Sequence, residues 1–291
     1  MKRKSVYLLL VCLLLVALGA SPDQGHLPVL KGPYLGQKPP GTTPEVFAPG
    51  LVSIENSNEY FCLFWDHGKH LVFLRDGSGY FESIFDGSQW TELKNTEISA
   101  MEPCNSPSEK KLFYNVFKKD DKTGNYNAEI WTMEKRANTW SKPEYSGING
   151  MGPAVDLEGN LYYSTSKDGL MCIGVSYMRN GKYTDEMVLP PPIYSEKELI
   201  HPCVAPDGSW MIFNTENQKY YEQGCGLYVS FKKNDGTWTM PQNMKSQIPI
   251  TGGPLLRISS DGKYLFYTQN GDIYWVSAKI IEALRPKDKT R

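Results

Sequence analysis

The sequence predicts an all-β chain: a β-propeller of about five four-stranded antiparallel blades, closed into a ring by a strand from near the N-terminus. Three observations carry this expectation. A unit of tight turn plus aromatic strand recurs five times at blade-sized steps. The composition is that of short strands joined by turns. The fifth unit lacks an outer strand, and a matching segment stands at the other end of the chain.

The composition sets the class. Of 291 residues, 12% are aromatic, with 18 Tyr and 7 Trp, while 26 Gly and 20 Pro supply the turns. Aromatic residues suit a pleated, half-buried surface, and Gly and Pro fix the backbone of turns. An apolar fraction of 40% is enough for one large core, and all-β chains of this length commonly form a single domain.

The repeat is read from its turns. Two copies are sharp: Ala205-Pro206-Asp207-Gly208 before SWMIF, and Ser260-Asp261-Gly262-Lys263 before YLFYT. Weaker copies centre on Gly159 and Glu109, and the most eroded is Trp65-Asp66-His67-Gly68. Taking Gly68, Glu109, Gly159, Gly208 and Gly262 as equivalent gives steps of 41, 50, 49 and 54 residues. Each step is one propeller blade. Within each unit a second aromatic strand follows the turn. A third is expected over 79–85, 128–133, 170–177, 226–231 and 272–277. Four units then reach a turn ending in an aromatic residue, Trp90, Trp140, Tyr183 or Trp238. The fifth unit stops after its third strand. Residues 44–51 (PEVFAPGL) match 241–248 (PQNMKSQI) in their proline, length and closing aliphatic residue, so they are expected to supply the missing strand. That closure removes the free sheet edges that invite aggregation.

The segments outside the repeats read as follows. Lys2, Arg3 and Lys4 precede an apolar run from Val6 to Leu18, with small residues at Gly19 and Ala20. Residues 1–20 are therefore expected to be a signal peptide, the run being short for a bilayer span of ~20 residues. Val11 before Cys12 does not suit a lipidation site. Residues 21–43 read as a Pro/Gly-rich linker, 44–285 as the propeller, and 286–291 as a charged tail. The expected location is periplasmic or extracellular, with no stable membrane span after processing. Removing the three leading cations takes 31 basic residues to 28 against 32 acidic, a net of −4. Such a chain has no electrostatic footprint for nucleic acid.

The S/A-P-D-G turn, the GLYVSF strand at 226–231 and DGTWTMP at 235–241 resemble the PD40 repeats of TolB-like and WD40-like propellers. The resemblance spans 44–285, with its best copies at 200–241 and 254–279. It implies an exported bacterial propeller serving as a binding or scaffolding platform, and it carries no catalytic motif.

Aligning the five units places Phe61, Glu102, Gly152, His201 and Leu255 at one position of the innermost strands. Leu63, Cys104, Ala154, Cys203 and Arg257 fall two residues on. Glu102, His201 and Arg257 are thus candidates to converge at the axis from three blades. A carboxylate, an imidazole and a guanidinium together suit a polar or anionic ligand, or acid–base work. The simpler reading is a structural pair of Glu102 with Arg257, His201 packing beside Pro202.

No cofactor fingerprint or nucleophile motif is present, so neither cofactor nor metal is expected. His67 and His70 read as turn residues, and Asp66, Asp156, Asp207 and Asp261 as caps of the turn backbone. Cys62, Cys104, Cys172, Cys203 and Cys225 remain after processing, an odd number that reads chiefly as buried structural thiols. The sequence therefore points to a non-catalytic propeller that binds or scaffolds a protein, peptide or glycan partner. The alternative is a carbohydrate-active hydrolase or lyase with its site at the axial channel, which requires two facing carboxylates.

Overall fold

The computed structural model describes residues 30–96, 100–119, 121, 124–136, 139–215, 217–221, 226–248 and 255–287. The expected signal peptide, Cys12, Cys225 and most of the charged tail lie outside them.

The chain is a five-bladed β-propeller. Blade 1 comprises Glu59–Trp65, His70–Arg75, Gly79–Ile84 and Lys94–Asn95, from axis to rim. Blade 2 comprises Met101–Asn105, Lys111–Lys119, Tyr126–Arg136 and Glu144–Asn149. Blade 3 comprises Met151–Val155, Leu161–Lys167, Leu170–Ser176 and Met187–Val188. Blade 4 comprises Leu199–Val204, Trp210–Thr215, Leu227–Phe231 and Gln242–Asn243. Blade 5 has three strands of its own, Arg257–Ile258, Tyr264–Gln269 and Asp272–Ser277, and takes Glu45–Val46 as its rim strand.

That last pairing closes the ring. Glu45 sits opposite Trp275 and Val46 opposite Tyr274, antiparallel, and the Phe47 amide donates to the Ile273 carbonyl at 2.8 Å. The strand is shorter than the matched segment 44–51, because the chain turns inward after Val46. Phe47 then enters the core between blades 5 and 1.

The middle strands of each blade are apolar on both faces, as sheets covered on two sides require. Trp210–Thr215 and Leu227–Phe231 are buried throughout. Alternate residues along the second strand pack on the preceding and the following blade. Met211 and Phe213 join the core shared with blade 3, while Trp210 and Ile212 join that shared with blade 5.

Four details differ from the sequence reading. Residues 30–41, within the expected linker, are laid against the propeller and turn through a 3-10 helix at Tyr34–Gly36. Tyr34 and Leu35 are buried, and the Trp90 indole N–H donates to the Gly32 carbonyl at 2.7 Å. Blade 3 has a tighter first hairpin: Val155 pairs with Leu161, one residue nearer in sequence than the equivalent pairs Asn105–Leu112 and Val204–Met211. The third strand of blade 2, expected over 128–133, runs over Tyr126–Arg136 and pairs as far as Tyr126 opposite Lys119. Among the turn aspartates, Asp156, Asp207 and Asp261 each accept a backbone N–H of their own turn. Asp66 instead pairs with Lys135 of blade 2 at 3.0 Å.

His70 is buried rather than exposed in its turn, with Nε2 3.2 Å from Glu82. Burial lowers its pKa below the ordinary histidine value, although Glu82 pulls the other way. On acidification the unfolded chain takes up a proton that the folded chain resists, so stability falls as pH drops through about 6.5. Exchanging His70 for Gln is expected to flatten this part of the stability profile. Urea midpoints at mildly alkaline and mildly acid pH measure it, and an unchanged slope refutes it.

Candidate functional site

The five innermost strands line the axis, and four of them share a distortion. Their pairing with the second strand shifts register between Tyr60 and Leu63, Met101 and Cys104, Met151 and Ala154, and Ile200 and Cys203. Each bulge holds one residue in the left-handed region: Phe61 (φ 52°), Glu102 (φ 49°), Gly152 (φ 59°) and His201 (φ 47°). These are the residues that the sequence alignment set at one level. A bulge re-aims a side chain, and non-glycine residues held left-handed store ~1–2 kcal/mol each. In three blades a buried proline follows, Pro103, Pro153 or Pro202. Lacking an N–H, proline loses no ladder bond at such an interruption.

The bulges are braced from the neighbouring blade. The Asn115 side chain accepts from the Gly152 amide at 2.9 Å and donates to the Gly150 carbonyl at 2.6 Å. At the matching place in blade 3, the Ser164 hydroxyl accepts from the His201 amide at 2.8 Å. In blade 5, the Thr268 hydroxyl donates to the Glu59 carbonyl at 2.8 Å. Sequence reasoning passed over these three. Their signal was a polar residue after the aromatic of the second strand in four of the five blades, Leu74 standing there in blade 1.

Glu102 and His201 do meet. Glu102 Oε1 lies 3.6 Å from His201 Nε2, and Oε2 accepts the Gly152 amide at 2.7 Å. The two side chains are 14% and 16% exposed, so the pair is reachable from one mouth of the channel. Gly152 is what lets them approach, because a Cβ there would stand 2.9 Å from His201 Cδ2.

Arg257 reaches the same strand but not the carboxylate. Its guanidinium donates to the carbonyls of Pro103 at 2.7 Å, Glu102 at 3.0 Å and Leu256 at 2.8 Å. With 6% exposure, it crosses the axis from blade 5 to blade 2 as a bolt. The Glu102–Arg257 ion pair of the simpler reading is therefore absent, and Glu102 pairs with His201 instead. Beside Arg257, a cavity of ~20 Å³ lined by Cys104, Pro153, Cys203 and Leu256 has room for about one water.

The axial thiols are inert. Burial pushes Cys203 up to about 12 against the opposing pull of Arg257, and raises Cys104 likewise. The bulge also breaks the strand alternation that would have set His201 and Cys203 on one face. Among the described residues, no three His, Cys, Asp or Glu side chains gather as metal ligands would.

At the mouth, blade 2 stands proud of the disc. Among the described residues its inner strand pairs as far as Met101 opposite Asn115, and the second strand, paired with the third, continues to Lys119. This raised hairpin carries exposed Phe117 at 40% and Tyr126 at 67%, and Met101 at the head of the inner strand is 51% exposed. Residues 116–119 pair with 126–129 of the third strand.

No protein-family model and no curated protein matches the chain. Among solved structures it resembles a TolB of Agrobacterium tumefaciens at 17% identity, covering 74% of this chain and 71% of that one, TM-score 0.44. It resembles the TolB of Acinetobacter baumannii at 16% identity over 72% of this chain, TM-score 0.37, and spans only 46% of that protein's length. A gluconolactonase of Xanthomonas campestris stands at 11% identity, 82% and 94% coverage, TM-score 0.41. TolB propellers are thus among its structural neighbours, as are enzymes on the same scaffold. Similarities this distant leave function to be argued from the chain's own residues. No helix among the described residues is long and apolar enough to cross a membrane.

Proposed function

We propose that this protein is an exported, non-catalytic propeller that takes an extended segment of a partner protein on the face bearing Glu102 and His201. The observation that carries the reading is the raised blade 2 hairpin. It sets exposed Phe117 and Tyr126, with Met101 at the head of the inner strand, on the face that bears the Glu102–His201 pair. Exposed apolar side chains around a polar pair give an extended segment grip and selectivity. Clustered exposed apolar side chains mark an interaction surface. Export rests on the signal-peptide character of residues 1–20. The rival reading, a carbohydrate-active enzyme at the channel, is weakened because the cavity beside Arg257 has room for about one water, not a sugar ring.

The test is selection of a random peptide display library on the protein lacking residues 1–20, followed by affinity measurement on variants. Enriched peptides are expected to lose about tenfold in affinity, ~1.4 kcal/mol, on Phe117→Ser, and a comparable amount on Tyr126→Ser. Peptides that bind both variants as well as the parent, or a library with no enrichment, overturn the proposal. Turnover of a lactone or glycoside that disappears with Glu102→Gln would replace it by the enzymatic reading.

A further inference from the structure

The five blades share one more position, and blade 3 departs from it. In every second strand an aromatic residue faces the preceding blade: Phe73, Tyr114, Tyr163, Phe213 and Tyr267. Directly opposite on the third strand stand Phe81, Trp131, Tyr228 and Tyr274 in blades 1, 2, 4 and 5, and Gly174 in blade 3. Elsewhere the two rings can stack and fill the wedge between blades. The Phe73–Phe81 and Tyr267–Tyr274 centroids are each 5.8 Å apart with nearly parallel planes. In blade 3 that second ring is missing, and the aromatic after the third strand is Tyr183 where blades 1, 2 and 4 carry Trp.

The wedge between blades 2 and 3 is accordingly an open groove of ~770 Å³. This lies within the usual size of a small-molecule site, about 300–1,000 Å³. The apolar core beneath it, formed by Phe113, Ile130, Ile148, Val155, Leu161 and Tyr163, is the smallest of the five. The groove is not an unfilled apolar defect, because its walls are polar. Blade 2 contributes Thr132, Glu144 and Ser146, and blade 3 contributes Thr165, Tyr183 and Glu186. Gly174 makes space for the acid: a Cβ there would stand 2.8 Å from the Tyr163 ring and 3.1 Å from Glu186 Oε2. Thr165 Oγ1 donates to Glu186 Oε1 at 3.4 Å, holding the carboxylate over the glycine. Tyr145 adds a ring 43% exposed at the lip.

We infer that this groove binds a neutral sugar unit of a glycan. The space left by an absent ring accepts another ring. Walls of carboxylate, hydroxyl and phenol offer acceptors to a ligand rich in O–H donors, and tyrosine rings offer an apolar face and a polar tip to a sugar's C–H face. Charge argues against an anionic ligand. Glu144, Asp185 and Glu186 line the groove, and of its two cations, Lys111 is tied to Glu134 at 3.2 Å, leaving Lys182. The site lies between the outer strands of blades 2 and 3, away from the Glu102–His201 mouth, and stands independently of the peptide reading.

Isothermal titration of the protein with neutral oligosaccharides of two to four hexose or N-acetylhexosamine residues tests this. Uronic-acid oligosaccharides and an arginine-rich peptide run in parallel. At least one neutral glycan is expected to bind. Its affinity should fall about tenfold or more, at least ~1.4 kcal/mol, with Glu186→Ala, an exposed change that leaves the fold alone, and with Thr132→Trp, which fills the wedge. Circular dichroism of Thr132→Trp confirms its fold, and peptides selected on the mouth should bind both variants unchanged. Absence of neutral-glycan binding at millimolar concentration, binding indifferent to Glu186→Ala, or binding of only the cationic peptide or the acidic sugars overturns the inference.

Discussion

Replacing Phe47 by alanine is expected to destabilise the protein by about 3–5 kcal/mol, the range for removing a buried phenylalanine, although Phe47 belongs to no repeat. The residue follows the two-residue strand that completes blade 5, and it has no exposed surface. Its ring meets Phe64 at 5.5 Å, Phe266 at 5.6 Å and Trp275 at 5.2 Å, all edge-on. Phe64 belongs to blade 1, and Phe266 and Trp275 to blade 5. The side chain is thus wedged into the one blade junction that the chain does not cross in sequence. Two backbone pairs hold Glu45–Val46 in place, so the packing of this ring adds substantially to the short ladder. For a domain of this size the change should lower the melting temperature by on the order of 10 °C. Phe47→Leu, which keeps much of the volume, should recover over half of the loss. A melting temperature within a degree or two of the parent would mean that the ring is held shut by other contacts.

How far the sequence could be read follows from which interactions are local. Closure was legible because blade 5 lacks a strand and residues 44–51 resemble a rim segment, a deficit and a surplus that match. The inner-strand alignment was legible for a similar reason: Phe61, Glu102, Gly152 and His201 are spaced by the repeat itself. Their left-handed backbones were not read, although the prolines after three of them mark a place where a ladder bond is missing. The direction of Arg257 was beyond the sequence. A long guanidinium with several donors is placed by whichever carbonyls lie within reach, and those of Glu102 and Pro103 come from a blade 154 and 155 residues away.

Two misreadings share a cause. Residues 30–41 have linker composition, yet Tyr34 and Leu35 fill a hollow whose walls come from blades 1 and 5. The third strand of blade 2 is expected only from 128, yet Tyr126 and Asn127 continue its ladder opposite Lys119 and Lys118, side chains exposed. Hydrophobic patterning reports burial in a segment's own surroundings, so it is silent where the partner is remote or where a strand needs no buried face. The open wedge at Gly174 is the converse. A glycine in a strand reads as a minor weakness, and its meaning emerges only when four other blades set an aromatic ring in that place.

The second large effect is expected at the same junction, from charge rather than shape. Glu59 opens the inner strand of blade 1 with its side chain wholly buried, and Arg75 Nε donates to its Oε1 at 3.1 Å. The guanidinium continues outward, donating through Nη2 to the carbonyls of Leu51 at 3.1 Å and Val52 at 3.0 Å, just beyond the closing strand. Its plane lies against the rings of Phe73 and Phe81, at 5.3 and 5.0 Å. Arg75→Met should therefore cost about 3–5 kcal/mol, because it leaves a buried carboxylate without a counter-charge. Much of that penalty belongs to the stranded Glu59 rather than to the lost attraction. Glu59→Met alone should be less damaging, since Arg75, whose side chain is 14% exposed, keeps its bonds to the Leu51 and Val52 carbonyls and can turn toward water. The double change Glu59→Met/Arg75→Met should recover a large part of the single Arg75 loss, while the unsatisfied Leu51 and Val52 carbonyls keep it below the parent. Urea unfolding of all four proteins gives the coupling directly. If the double variant is as unstable as the sum of the two single ones, the pair acts independently and the junction is fastened by packing alone.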